Sequence, residues 1–148
     1  MPEPPRHVTT STAQSLAAVT RLLSRWGLSH AQQAHLLGFT GRGLRRVQRE
    51  AAPTLSLDQQ DRLRLLSAIL SALLTLYSPR TVGGWLSRPN NREPFHGQRP
   101  LDVLLTGGLP ALRATWHLLA GDLSGQFGAT PASRQQASQL PQPSVDVD

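Results

Sequence analysis

Apolar residues separated by three and four positions recur along this chain, and no stretch reads as a paired strand. Leu16, Val19, Leu22, Leu23 and Trp26 keep that spacing near the start. Leu109, Leu112, Trp116, Leu119 and Leu123 keep it near the end, in steps of three, four, three and four. A period of that length places one face of a helix on a core. The chain is therefore expected to be all-α.

Capping residues, glycines and prolines divide the pattern into elements. Ser11 or Thr12 can cap a first helix that Gly27 ends, Ser29 precedes a short helix stopped by Gly38, and Thr40 precedes a third. Pro53 closes this group. Ser56 with Gln59 then forms a capping-box signal for a long helix, apolar on every side after Leu65 and so expected to be buried in its second half. Ser78-Pro79 restarts the chain as a short helix. Pro100 begins another that ends at Gly107-Gly108, and the last starts near Leu109 or Pro110. These signals imply a flexible arm over 1–11, a three-helix unit over 12–53, a second helical domain over 54–123, and a Gln-, Ser- and Pro-rich tail over 124–148 expected to be disordered.

Composition narrows the function classes. A chain of 148 residues with 39% hydrophobic side chains can fill a modest core, and it has no cysteine for disulfides or thiolate metal sites. The first residues lack the apolar stretch of a signal peptide, and the richest apolar run, 63–77, is too short to span a bilayer and contains Arg64. A cytoplasmic protein with no membrane segment is the expectation. No lysine, G-x-S-x-G turn or phosphate-binding loop is present. The histidines at 7, 30, 35, 96 and 117 are scattered, and Asp58 and Asp61 suit the N-terminal turn of a helix better than an acid/base pair. No enzyme activity, metal or cofactor is expected.

The charge is concentrated. Seven of the fifteen arginines lie in residues 1–50 against Glu3 and Glu50, while the remainder of the chain is nearly balanced. Within that basic third, Ala34 stands four residues before Gly38, Leu44 six after it and Val47 nine after it. The spacing resembles that of repressor-type helix-turn-helix units, in which a small residue lets the helices approach and the later apolar pair seats the recognition helix. On the third helix Arg42, Arg45, Arg46 and Arg49 fall at i, i+3, i+4 and i+7, away from Leu44 and Val47. A helix laid in the major groove needs that division, with Thr40 and the helix start also able to meet phosphate. The same face can instead be simply solvated or meet an acidic partner. Gly41 and Gly43 weaken the first turn, which leaves room for a degenerate unit that does not bind DNA.

The second half holds loop-type residues, yet it keeps Trp85, Leu86, Phe95, Leu101, Val103, Leu104 and Leu105. Pro89, Pro94 and Pro100 restrict its backbone. The run DRLRLLSAIL, then WLSRPN, then F-x-G-x-R-P-L-D with a leucine pair and Gly-Gly, resembles the toxin-binding domain of the Xre/MbcA/ParS type antitoxins. Its landmarks here are Arg62-Leu63, Trp85-Leu86, Pro89-Asn90, Phe95, Gly97 and Arg99-Pro100-Leu101-Asp102. The resemblance implies an all-helical antitoxin of a type II toxin–antitoxin system. Such a protein covers the active site of a RES-domain toxin that consumes NAD, and represses the shared promoter by binding operator DNA. A homodimer and a larger toxin–antitoxin assembly are expected partners in that reading.

Asn90 and Phe95, in the loop, are the candidate toxin contacts, with Arg99 and Asp102 either reaching a partner or holding each other. Trp85 and Leu101 read as core. Many relatives carry an aromatic beside arginine in the recognition helix, where this chain has Leu44-Arg45-Arg46-Val47. The alternative to the antitoxin is a transcriptional regulator whose helical second half only dimerises.

Overall fold

The computed structural model describes residues 11–128, with side chains described through Gly125. Six helices and no strand form among the described residues: α1 (Thr12–Arg25), α2 (His30–Leu37), α3 (Gly41–Gln48), α4 (Leu57–Leu76), α5 (Pro79–Ser87) and α6 (Pro100–Gly128). The chain divides into two compact units, the first ending at Ser67 and the second beginning at Ala68, with α4 running through the boundary.

Local capping chemistry fixes the starts of these helices. Ser11 accepts from the Gln14 amide while the Gln14 side chain accepts from the Ser11 amide, and Ser29 with Gln32 repeats the exchange. Ser56 and Gln59 form the third such box, at 3.0 and 3.1 Å. Each satisfies donors that the first turn of a helix leaves without partners. Ser78 caps α5, with Pro79 in its first turn.

In the first unit α1, α2 and α3 pack on one another. Leu16, Val19 and Leu23 of α1, Ala34, Leu36 and Leu37 of α2, and Leu44 and Val47 of α3 are all buried. Gln33 is buried among them and keeps its amide satisfied, donating to Ser24 Oγ at 2.9 Å and to the Leu28 carbonyl at 3.0 Å.

In the second unit α5 packs on α6. Ile69, Leu70, Leu73, Val82, Leu86, Phe95, Leu104, Leu112 and Leu119 are buried. The expected all-round burial of α4 is not met, because Ser71 and Thr75 face solvent. The two polar residues lie four apart and so share a helix face. α6 breaks at Gly108 (φ 63°, ψ −151°), a conformation open to glycine alone, so the span is two helical segments with Pro110 in the first turn of the second. Thr115 of that segment is buried and its hydroxyl has no hydrogen-bond partner among the described residues, which costs about 1–3 kcal/mol.

α6 continues to Gly128, five residues beyond the end expected from the leucine pattern. Residues 1–10 and 129–148, which include most of the expected arm and tail, lie outside the described residues. No single helix among the described residues is long and apolar enough to cross a membrane.

Candidate nucleic-acid interface and partner loop

The first unit builds a helix-turn-helix from α2 and α3. Gly38 ends α2 at φ 81°, the left-handed geometry that lets the chain turn within two residues into the Thr40 cap. Its amide donates to His35 O at 3.2 Å, and the Phe39 amide donates to Ala34 O at 2.9 Å. Ala34, Leu44 and Val47 are 2%, 0% and 5% exposed, which places the three spaced apolar positions at the helix contact as the sequence implied.

The start of α4 braces this turn. Gln59 uses both ends of its side chain: the carbonyl oxygen serves the Ser56 cap, and Nε2 donates to Gly38 O at 3.1 Å. The Asp58–Arg62 pair, closed at 2.8 Å, lies against Gly38, where an added Cβ would come within 3.0 Å of Asp58 Oδ2 and 3.1 Å of Arg62 Cδ. His30, from the first turn of α2, reaches Gly41 O with Nε2 at 2.8 Å. A carbonyl only accepts, so Nε2 carries the proton. The sequence offered no signal for His30 or Gln59 in these roles, because both act across the turn.

Arg42, Arg45, Arg46 and Arg49 are all exposed, and no hydrogen bond or ion pair ties any of them among the described residues. Arg49 is the C-cap of α3, and its αR backbone continues the helical direction. Thr40 Oγ1 accepts from the Gly43 amide at 2.9 Å. Its hydroxyl therefore holds the helix start and keeps only its proton to offer a phosphate. The arrangement is a cationic face on a short helix seated by buried Leu44 and Val47.

Residues 6–68 match the family described as the antitoxin Xre-like helix-turn-helix domain. The chain is also 36% identical over 93 residues to the uncharacterized protein y4oB of Sinorhizobium fredii, a match that covers 62% of this chain and 70% of that protein. The chain belongs to one family with y4oB, and its first unit is an Xre-like antitoxin helix-turn-helix domain. No solved structure matches it. The Xre-like domain makes the protein a helix-turn-helix regulator of the antitoxin class, and the α3 arginines are the exposed cations of that domain's third helix.

In the second unit the segment after α5 folds into a closed loop. The Asn90 amide donates to Gln98 O at 3.0 Å, and the Gly97 amide donates to Asn90 O at 2.8 Å. Asn90 Oδ1 accepts from the Arg92 amide at 2.9 Å, an Asx turn. Its Oδ1 thus serves the loop, while the residue is only half-buried. Phe95, expected as an open contact, is corrected. It is fully buried, edge-on to Trp85 with ring centroids 5.5 Å apart and planes at 87°, so it anchors the loop and has no surface to give a partner.

The Arg92 guanidinium donates twice, at 2.9 Å each, to Asp122 in α6. Neither residue carried a motif, and thirty positions separate them. Arg99 donates to both oxygens of Asp102, at 2.8 and 2.9 Å, and the hydrogen bond holds the Asp102 carboxyl below its ordinary range and the Arg99 guanidinium above its own. Their side chains are 50% and 41% exposed. Leu86 and Pro100 are buried, Pro89 is exposed, and Trp85 and Leu101 are half-buried, so the last two keep part of their surface. No group of acidic and histidine side chains capable of holding a metal occurs among the described residues.

Proposed function

We propose that this protein is the antitoxin of a type II toxin–antitoxin pair. Its first unit binds operator DNA and represses the shared promoter from a dimer, and its second half binds and occludes a RES-domain toxin that consumes NAD. Inhibition is steric, with no chemistry on this chain, and the protein acts in the cytoplasm. The observation that carries the DNA-binding part is the α3 face, four exposed arginines with no carboxylate against them, on the third helix of an Xre-like antitoxin domain. The proposed contacts are Thr40, Arg42, Arg45, Arg46 and Arg49 for DNA.

The toxin-binding part is supported by the Trp-Leu, Pro-Asn, Phe-x-Gly and Arg-Pro-Leu-Asp order of the second half. With Phe95 buried, the surface left for a toxin is the exposed Arg99–Asp102 pair and the half-exposed Trp85, Asn90 and Leu101. The burial of Phe95 favours the second reading, a regulator whose helical second half serves only dimerisation.

Co-expression of the full chain with the product of the adjacent reading frame separates the two. A stable complex that suppresses NAD consumption by that neighbour supports the antitoxin. A neighbour that neither binds nor consumes NAD leaves the plain regulator.

A further inference from the structure

We infer that the groove between α1, α2 and the end of α3 is a binding site for a small organic ammonium compound, a protonated amine on a short apolar body. The inference goes beyond the reading above and depends neither on DNA binding nor on a toxin.

The groove lies within the first unit and measures about 490 Å³. Its apolar part is made by Leu16, Leu28 and Val47, all buried, and the short side chains of Ala13 and Ala17 leave it open along α1. One buried polar group is left unfinished there. Gln33 is 5% exposed and lines the groove. Its Nε2 donates to the Leu28 carbonyl, which only accepts, so the nitrogen and oxygen ends of the amide are assigned; the second hydrogen goes to Ser24 Oγ. Both donors are thereby spent inside the protein. Oε1 has no hydrogen-bond partner among the described residues, and it is not sealed away as Thr115 Oγ1 is. A buried amide ordinarily has both ends satisfied, so this acceptor is offered to a donor entering the groove.

Glu50 supplies the charge. It is the sole acidic residue in the stretch 11–50, which holds six arginines, yet no ion pair engages it among the described residues. It lines the same groove just past the end of α3, where the last helix carbonyls add negative potential. Gln33 Oε1 and the Glu50 carboxylate only accept, whereas an ammonium group carries three donors and no acceptor. Its apolar body would lie on Leu16, Leu28 and Val47. Arg21 also lines the groove and makes an anion the competing ligand. Arg21 is exposed and can turn outward, while burial holds Gln33 in place, so the acceptors decide the class.

The test is an NMR titration of the full, nitrogen-labelled chain with butylammonium chloride, and with 1-butanol and sodium butyrate as probes of similar length. Butylammonium is expected to give saturable shifts at the Gln33 side-chain amide and at the Ser24, Gln48 and Glu50 backbone amides, and the other two probes none. Glu50→Gln is expected to weaken butylammonium about tenfold, the worth of one charge-assisted hydrogen bond. Ala17→Leu fills the groove from an exposed position and should melt like the parent while abolishing the shifts. Equal shifts with 1-butanol reduce the groove to an apolar cleft, and tighter binding of butyrate makes it an anion site of Arg21; either overturns the inference. So do parental affinity in Glu50→Gln, undiminished shifts in Ala17→Leu, and the absence of saturable shifts with butylammonium.

Discussion

Arg92 and Asp122 meet through two parallel hydrogen bonds of 2.9 Å and fasten the loop after α5 to the second segment of α6. Planar, paired donors on a carboxylate fix orientation as well as distance. The pair is not deeply buried, with side chains 38% and 26% exposed, so solvent screens it and its worth lies in geometry more than in stability. Asp122→Asn is expected to lower unfolding stability by less than about 1 kcal/mol. Hydrogen exchange should nonetheless speed up at the Asn90 and Gly97 amides, whose bonds close the loop. Unchanged exchange there would show that the loop holds itself.

Phe95 is the anchor of the same loop. Phe95→Ala removes a fully buried aromatic and its edge contact with Trp85 and is expected to cost about 3–5 kcal/mol, measured by denaturant unfolding. Phe95→Leu should cost distinctly less. If Phe95→Ala left stability intact while abolishing partner binding, the ring would be a contact and not an anchor.

Gly38 sits at φ 81° against the Asp58–Arg62 pair. Gly38→Ala introduces the left-handed strain of an L-residue, about 1–2 kcal/mol, and a Cβ 3.0 Å from Asp58 Oδ2. A double variant with Asp58→Ala should recover the part due to the Asp58 contact, and neither the part due to Arg62 Cδ at 3.1 Å nor the part due to strain. Thermal melts of the two variants check the division.

The α3 arginines should make DNA binding steeply salt-dependent, with log affinity falling by about 0.9 per decade of salt for each phosphate neutralised. Arg45→Ala with Arg46→Ala is expected to abolish operator binding at physiological salt and to flatten the slope measured at low salt. Neutralisation of the toxin should be spared. Loss of neutralisation in a variant that still folds would join the two functions in one surface.

Asp102 gives a pH signature. Its hydrogen bond from Arg99 lowers its folded pKa, so the pair stabilises the start of α6 at pH above the ordinary aspartate value and loses that effect as pH falls through the lowered one. Carboxyl-carbon NMR should find Asp102 titrating below a free aspartate, and Arg99→Gln should raise it. A free-aspartate value in the parent would mean that the pair does not persist in solution.

The sequence alone determined what depends on neighbours three or four residues apart. The starts of α1 to α5, the turn at Gly38, the break at Gly108, the buried Ala34, Leu44 and Val47 and the outward arginines all follow from helical period and capping chemistry, which act within a turn or two. The Arg99–Asp102 pair was within reach for the same reason, being three positions apart. Only the tertiary structure decided whether a loop residue faces in or out, because a loop has no period from which to read a face. It turned Phe95 inward onto Trp85 and gave Asn90 Oδ1 to its own loop. It also brought together partners distant along the chain, Arg92 with Asp122, Gln59 with Gly38 and His30 with Gly41. Such pairs come from how the chain folds back on itself, and the spacing of residue types carries no record of them.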